Sequence, residues 1–247
     1  MARRVAWFLV IALGAAPALG AEGMPEDFVY LRDVDPTIRQ DMRYAGSKNF
    51  TGKPVPGYDA AECVLVRQAA EALKAVQANL KAKGLGLKVY DCYRPERAVA
   101  SFVAWTKKPD DPAAKAIYYP NVPKGELIPD YIAARSGHSR GAAVDLTLVP
   151  LGSDLKDSPE SGPCTAPQGS EAPDGSLAMG TTFDCFDSKS GKLASNYTAE
   201  QNANRNTLRD TMQAHGFKDY FSEWWHFVLA DEPYPDTYFD FQIVPRQ

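Results

Sequence analysis

Ser136-Gly-His-Ser-Arg-Gly-Ala-Ala-Val-Asp-Leu-Thr-Leu-Val149 is the stretch on which the fold turns. From Ala142 on it alternates, with Ala143, Asp145 and Thr147 on one face of an extended chain and Val144, Leu146 and Leu148 on the other, the period-two pattern of a strand. Its Ser- and Gly-rich first half reads as the loop that approaches that strand. A loop imidazole, His138, and a strand carboxylate, Asp145, can then converge on one metal ion. Two further stretches extend the set, Tyr93-Arg94-Pro95 and Glu223-Trp-Trp-His226. Together the three supply two imidazoles, two carboxylates and a guanidinium, the parts of a zinc hydrolase with one carboxylate ligand. The whole chain holds only three histidines, which gives weight to the two found here.

Working outward, Asp59-Ala-Ala-Glu62 reads as a capping box, after which Leu65, Ala69, Leu73, Val76 and Leu80 recur at helical spacing until Gly84. Leu85, Leu87 and Val89 alternate with Gly86, Lys88 and Tyr90 as a strand running into Asp91-Cys92-Tyr93-Arg94. Pro95 suits the first position of a helix that continues to about Trp105. Arg94 therefore lies at a strand-to-helix junction, able to point into a cleft or to pair structurally with Asp91. From Pro109 to Pro129 the proline-punctuated chain reads as loop. Thr198-Ala-Glu-Gln201 is a second capping box, opening a helix with Ala203, Leu208 and Met212 inward until Gly216, and His215 falls at its C-terminal end. Phe221 to Leu229 reads as a buried strand. On a regular strand Glu223 and His226 would face opposite ways, so the strand proper is expected to begin near Trp225, with Glu223 on a bend that turns it toward the metal.

The first residues read as an export signal: basic Arg3 and Arg4, an apolar run from Val5 to Leu13, and small residues at Ala18-Leu19-Gly20, with cleavage after Gly20. The apolar run is shorter than the ~20 residues a membrane span needs. The expected mature protein, from residue 21 to 247, is one domain, exported to the periplasm or secreted, with no stable membrane anchor. The 27 Lys and Arg face 31 Asp and Glu, and without Arg3 and Arg4 the balance is 25 against 31, a net charge near −6. Nothing here suggests a nucleic-acid partner. Four cysteines in an exported chain suggest two disulfides, of which the sequence permits three pairings. Cys164 with Cys185 is favoured, because the Pro-, Gly-, Ser- and Asp-rich stretch near 150–185 looks like a surface insertion in need of a staple. That leaves Cys63 with Cys92.

Ser-x-His-x-x-Gly-x-Ala-x-Asp at 136 to 145, followed by Glu223-Trp-Trp-His226, resembles the zinc peptidases of the D-alanyl-D-alanine dipeptidase and D,D-carboxypeptidase group. Asn49-Phe-Thr-Gly-Lys-Pro54, Tyr93-Arg-Pro95, Asp145-Leu-Thr-Leu148, Met179-Gly180 with Phe183-Asp184, and Asp231-Glu-Pro-Tyr-Pro235 narrow the resemblance to the VanX-like dipeptidase branch. It runs from about Tyr30 to the end, apart from the insertion that holds Cys164. The resemblance implies that His138, Asp145 and His226 bind one zinc ion. It implies that Glu223 is the general base, that Arg94 stabilises the oxyanion, and that Asp184, Ser136 and Tyr44 bind substrate, the aspartate answering a free ammonium. The implied activity is zinc-dependent hydrolysis of D-alanyl-D-alanine and related small D,D-dipeptides in cell-wall peptide turnover. The alternatives are a zinc D,D-carboxypeptidase acting on peptidoglycan stems and a non-catalytic zinc-binding module. The expected fold is α+β, a central, mainly antiparallel sheet flanked by helices with the zinc site at one end.

Overall fold

The alternating stretch around Asp145 forms the middle strand of a sheet. In this computed structural model, which describes residues 23–152, 162–166, 169 and 172–246, the elements run in the following order. β1 (Phe28–Tyr30), α1 (Leu31–Val34), β2 (Arg39–Gln40), β3 (Val64–Val66) and α2 (Arg67–Lys81) come first. β4 (Leu85–Asp91), α3 (Glu96–Thr106), α4 (Pro112–Tyr118) and β5 (Ala143–Pro150) follow. α5 (Ala199–Ala214), β6 (Phe217–Asp219) and β7 (His226–Leu229) close the chain. Among the described residues five strands form one sheet in the order β2-β4-β5-β7-β6, antiparallel except for the β2–β4 pair. β1 and β3 form a separate antiparallel pair. The α+β expectation holds. The export signal at 1–20 and much of the insertion lie outside the described residues.

The two faces of β5 divide as the alternation requires. Lys88 of β4 pairs with Thr147, and Asp145 pairs with both Asp91 and His226, so these side chains share one face. Leu87 pairs with Leu148, Val89 with Leu146, and Val144 with Phe227 on the other. Both faces are covered: Leu87, Val89, Leu146 and Leu148 are fully buried, and so are Lys88 and Tyr90 on the opposite side. Each such buried leucine or valine contributes about 1.5–3 kcal/mol. The polar face is roofed by the chain near 174–183, where Lys88 Nζ meets Asp174 Oδ2 at 2.6 Å and the Tyr90 ring stacks on Phe183 at 4.5 Å. No helix among the described residues is long and apolar enough to cross a membrane.

Several local expectations are corrected. The Asp59–Glu62 capping box does not open the first long helix, because Val64–Val66 forms strand β3 and α2 begins at Arg67 after Val66, without a side-chain cap. Complete burial of Val64, Leu65 and Val66 outweighs the ~1 kcal/mol that a cap supplies. Pro95 is the N-cap of α3, one residue before its first turn. The stretch after Pro109 is not all loop: Asp111 accepts from the amides of Ala113 and Ala114, and Pro112 starts α4. The Thr198 capping box is present as expected, and Leu208 and Met212 of α5 are buried, but Ala203 is exposed. Phe221 is 59% exposed and precedes β7, which begins at His226, so residues 220–225 form the turn of a hairpin with β6. The cysteines pair Cys63–Cys92 and Cys164–Cys185. Cys63, however, precedes a strand and not a helix.

Candidate metal centre

His138 sits in a turn of 3-10 helix, Gly137–Arg140, capped by Ser136, whose Oγ accepts from the His138 amide at 3.3 Å. The turn ends at Gly141 with φ +78°, and a Cβ there would lie 2.2 Å from the Phe28 ring, so glycine is required on both counts. The turn is pinned to the end of β4. The Arg94 amide donates to the His138 carbonyl at 3.3 Å, and Ser139 Oγ donates to the Arg94 carbonyl at 2.8 Å. His138 Nδ1 lies 2.7 Å from the Cys92 carbonyl oxygen, an atom that can only accept. The ring proton is thereby placed on Nδ1, and in the neutral imidazole Nε2 presents its lone pair to the site.

That lone pair meets two others. His138 Nε2 is 3.0 Å from His226 Nδ1 and 3.3 Å from Asp145 Oδ1, and His226 Nδ1 is 3.0 Å from Asp145 Oδ1. Donors bound at ~2.0–2.2 Å around a four-coordinate ion are spaced about 3.3 Å apart, so this triangle has the size of one face of a metal's coordination tetrahedron. His138 and Asp145 are buried, and burial of three convergent donors without a cation would be costly. Burial also lowers the pKa of His226 despite the attraction of Asp145, favouring the neutral, metal-binding form. For Asp145 burial acts upward, but the two histidines outweigh it and hold the carboxyl well below the usual range. The cluster fits a metal ion.

Around the triangle lies a cavity of about 180 Å³ whose lining includes His138, Asp145 and His226. Arg94, Glu223, Asp184, Tyr44 and Ser136 line it too, so every candidate residue reaches the same space. Arg94 donates through Nε and Nη2 to Asp91 Oδ2 at 2.9 and 2.8 Å, and its Nη2 is 3.5 Å from Asp145 Oδ2. The structural pair with Asp91 and the position in the cleft, set as alternatives by the sequence, occur together. The guanidinium carbon lies 5.2 Å from the ring centres of both Tyr44 and Phe102. Tyr44 Oη donates to the Asp184 carboxylate, 3.0 Å from each oxygen, and Asp184 itself has φ +57°. Glu223, on the 220–225 turn, is partly buried. Burial and the carboxylates of Asp145 and Asp184 push its pKa well above the ordinary value, against the pull of Arg94.

A residue that the sequence offered only as a partner for Arg94 also stands behind the His138 ring. Asp91 is fully buried, accepts from Tyr58 Oη at 2.6 Å and lies 3.4 Å from His138 Nδ1. Its i, i+3 spacing to Arg94 was the available signal. Tyr131, Phe186, Tyr220 and Trp225 also line the cavity, and no spacing in the chain connects them.

A largely buried site of two imidazoles and one carboxylate on the central strands of a mixed sheet, beside a half-buried arginine and a glutamate of raised pKa, defines a metal-dependent hydrolase. The chain belongs to the Peptidase M15 family described as D-ala-D-ala dipeptidase, which matches residues 24–156 and 173–244. Curated relatives of that description agree along their lengths. The D-alanyl-D-alanine dipeptidase of Streptomyces coelicolor is 42% identical over 223 residues, 90% of this chain and all of that protein. The one from Enterococcus faecalis is 39% identical over 221 residues, covering 89% of this chain and 100% of its own, and the Escherichia coli one is 30% identical over 206 residues, 82% and 84%. Residues 157–172, which include Cys164, fall outside the family match.

Proposed function

We propose that this protein is an exported zinc enzyme that hydrolyses D-alanyl-D-alanine and related small D,D-dipeptides during cell-wall peptide turnover. The observation that carries the reading is one cavity of about 180 Å³ lined by the His138–Asp145–His226 triangle, Glu223, Arg94 and the Asp184–Tyr44 pair. Its volume is below the ~300–1,000 Å³ of pockets for drug-sized ligands and suits a dipeptide. The two disulfides accord with an oxidising compartment.

His138, Asp145 and His226 would hold the zinc ion. When bound, zinc lowers the pKa of water toward ~7 and polarises the scissile carbonyl. Glu223 takes the proton of the attacking water and returns it to the leaving amine, a task suited to a carboxylate whose pKa is raised toward the working pH. Arg94, held by Asp91 and by the rings of Tyr44 and Phe102, presents fixed positive charge to the developing oxyanion. Asp184, oriented by Tyr44, pairs with the substrate ammonium, which makes a free amino terminus a requirement. Ser136 Oγ caps the His138 turn through its lone pair and keeps its own proton to donate to substrate.

The test is hydrolysis of D-Ala-D-Ala beside its N-acetylated form, with and without chelator and zinc readdition, and by Glu223→Ala. Chelator-sensitive cleavage of the free dipeptide, lost on acetylation and in the variant, is expected. Preference for the acetylated or a longer substrate would move the assignment to a carboxypeptidase, and zinc binding without hydrolysis would make the domain a binding module.

A further inference from the structure

The loop that carries Asp184 is built in an unusual way. Asp184 is the one residue other than glycine with positive φ among the described residues, a conformation that aspartate tolerates better than most side chains and that its neighbours hold in place here. On its N-terminal side Phe183 stacks on Tyr90 at 4.5 Å, and Tyr90 Oη is fixed to Asp174 Oδ2 at 2.6 Å. On its C-terminal side the very next residue is Cys185, bridged to Cys164. Thr182 and Phe186 bracket the loop with further anchors. The Thr182 amide donates to the Cys164 carbonyl at 3.2 Å, and the Phe186 amide donates to the Tyr118 carbonyl at 2.8 Å. Cys164 in turn donates its amide to Ile117 at 2.8 Å, at the end of α4. Ser190 Oγ donates to the Cys185 carbonyl at 2.7 Å. Phe183, Asp184, Cys185, Phe186 and Cys164 are all buried, so the clamp is part of the interior and not a surface staple.

We propose that the Cys164–Cys185 bridge, with the 162–166 segment it anchors, is the positioning element that sets affinity for the substrate's ammonium group through Asp184. The inference rests on the dipeptidase reading above and goes beyond it, because Cys164 belongs to the stretch outside the family match. The anchored loop presents the Asp184 carboxylate to the cavity in a single orientation, with Tyr44 Oη as its donor. Without the bridge, the residue after Asp184 loses its covalent tie, and the positive-φ conformation loses the strongest of the constraints that flank it. The metal ligands share neither the loop nor its anchors: His138 is held by the Cys92 carbonyl, and Asp145 and His226 by the β5–β7 pairing. The effect therefore falls on substrate binding and spares the chemical step.

The experiment compares wild type, Cys164→Ala/Cys185→Ala, Asp184→Asn and the triple variant for kcat and KM on D-Ala-D-Ala, with zinc affinity measured by chelator competition. Loss of the bridge is expected to raise KM about ten-fold, with kcat changed less than about two-fold, the signature of lost ground-state positioning. Zinc affinity stays unchanged. In the Asp184→Asn background loss of the bridge adds nothing further to KM, because the carboxylate through which it acts is gone. An unchanged KM, an equal rise in the Asp184→Asn background, or a joint fall of kcat and zinc affinity overturns the proposal. Where the bridge-free chain does not fold, Ser190→Ala keeps the sulfurs joined and removes one anchor of Cys185. It is expected to raise KM about three-fold, and no rise overturns the proposal equally. A wild-type protein that ignores the free dipeptide or prefers its acetylated form overturns the dipeptidase reading itself, whereas normal wild-type activity with an unresponsive KM overturns the positioning role alone.

Discussion

Replacing Arg94 by alanine should damage stability and catalysis separately, and the two losses can be pulled apart. Asp91 has no exposed surface, and Arg94 is its one arginine or lysine partner within hydrogen-bonding distance among the described residues, at 2.9 Å to Nε and 2.8 Å to Nη2, with His138 Nδ1 further off at 3.4 Å. Tyr58 Oη, at 2.6 Å, is a neutral donor. Removing one partner of such a buried pair leaves an uncompensated charge and costs about 3–5 kcal/mol. For a chain of this size that corresponds to a fall in Tm of roughly 6–20 °C. In the proposed mechanism the same substitution also removes the positive charge offered to the oxyanion, and kcat should then fall about 10²–10³-fold. Asp91→Asn in the Arg94→Ala background removes the stranded charge, so urea unfolding should recover most of the stability while kcat stays low. Both proteins are compared zinc-loaded and metal-free, so that metal loss is not mistaken for unfolding. A loss below about 1 kcal/mol in Arg94→Ala would show that Asp91 does not depend on the pair. Recovery of kcat in the double variant would refute the role of Arg94 in the chemical step.

Three further outcomes follow from the same geometry. Chelation should abolish activity and lower Tm, and free zinc at 100 times its Kd should restore about 2.7 kcal/mol, read by thermal unfolding against zinc concentration. The pKa of Glu223 is raised by burial and by Asp145 and Asp184, so the acid limb of kcat/KM should lie above the ordinary glutamate range, activity rising with pH as the base deprotonates. By linkage the sign for stability is opposite. The folded state holds this proton more tightly than the unfolded state, so the Glu223 contribution declines as pH rises through the raised value, and Glu223→Gln should flatten that part of the metal-free stability profile. Asp174→Asn should cost up to about 3–5 kcal/mol in urea unfolding, because Lys88, fully buried on β4, loses its nearer charged partner at 2.6 Å and is left with Asp41 Oδ2 at 3.9 Å. Lys88→Met added to that variant should recover part of the loss, and no loss at all in Asp174→Asn would mean that Lys88 is neutral in the folded protein.

The local sequence determined the pieces whose physics is local. The alternation of Ala142 to Val149 specified a strand and the face on which Asp145 stands, and Thr198 with Gln201 specified the start of α5 through reciprocal capping. The impossibility of Glu223 and His226 sharing a face on a regular strand already required the bend found before β7. The residue types in three short stretches specified the chemistry. Tertiary structure decided what depends on distant partners. Val64–Val66 became strand because Phe28–Tyr30 pairs with it, against the helical spacing of its own leucine. Lys88 could be buried on a sheet face because Asp174, 86 residues away, covers it, with Asp41 as a second, more distant carboxylate. The i, i+3 spacing of Asp91 and Arg94 allowed their pair, but only the folded chain brings His138 Nδ1 within 3.4 Å of Asp91. The insertion around Cys164, which by composition reads as a surface loop, proved to hold the buried loop of Asp184, because its sulfur joins Cys185 and its backbone bonds to Thr182 and Ile117. Periodicity and capping are set by neighbours within a turn, whereas burial and charge pairing are set by whatever the folded chain brings into contact.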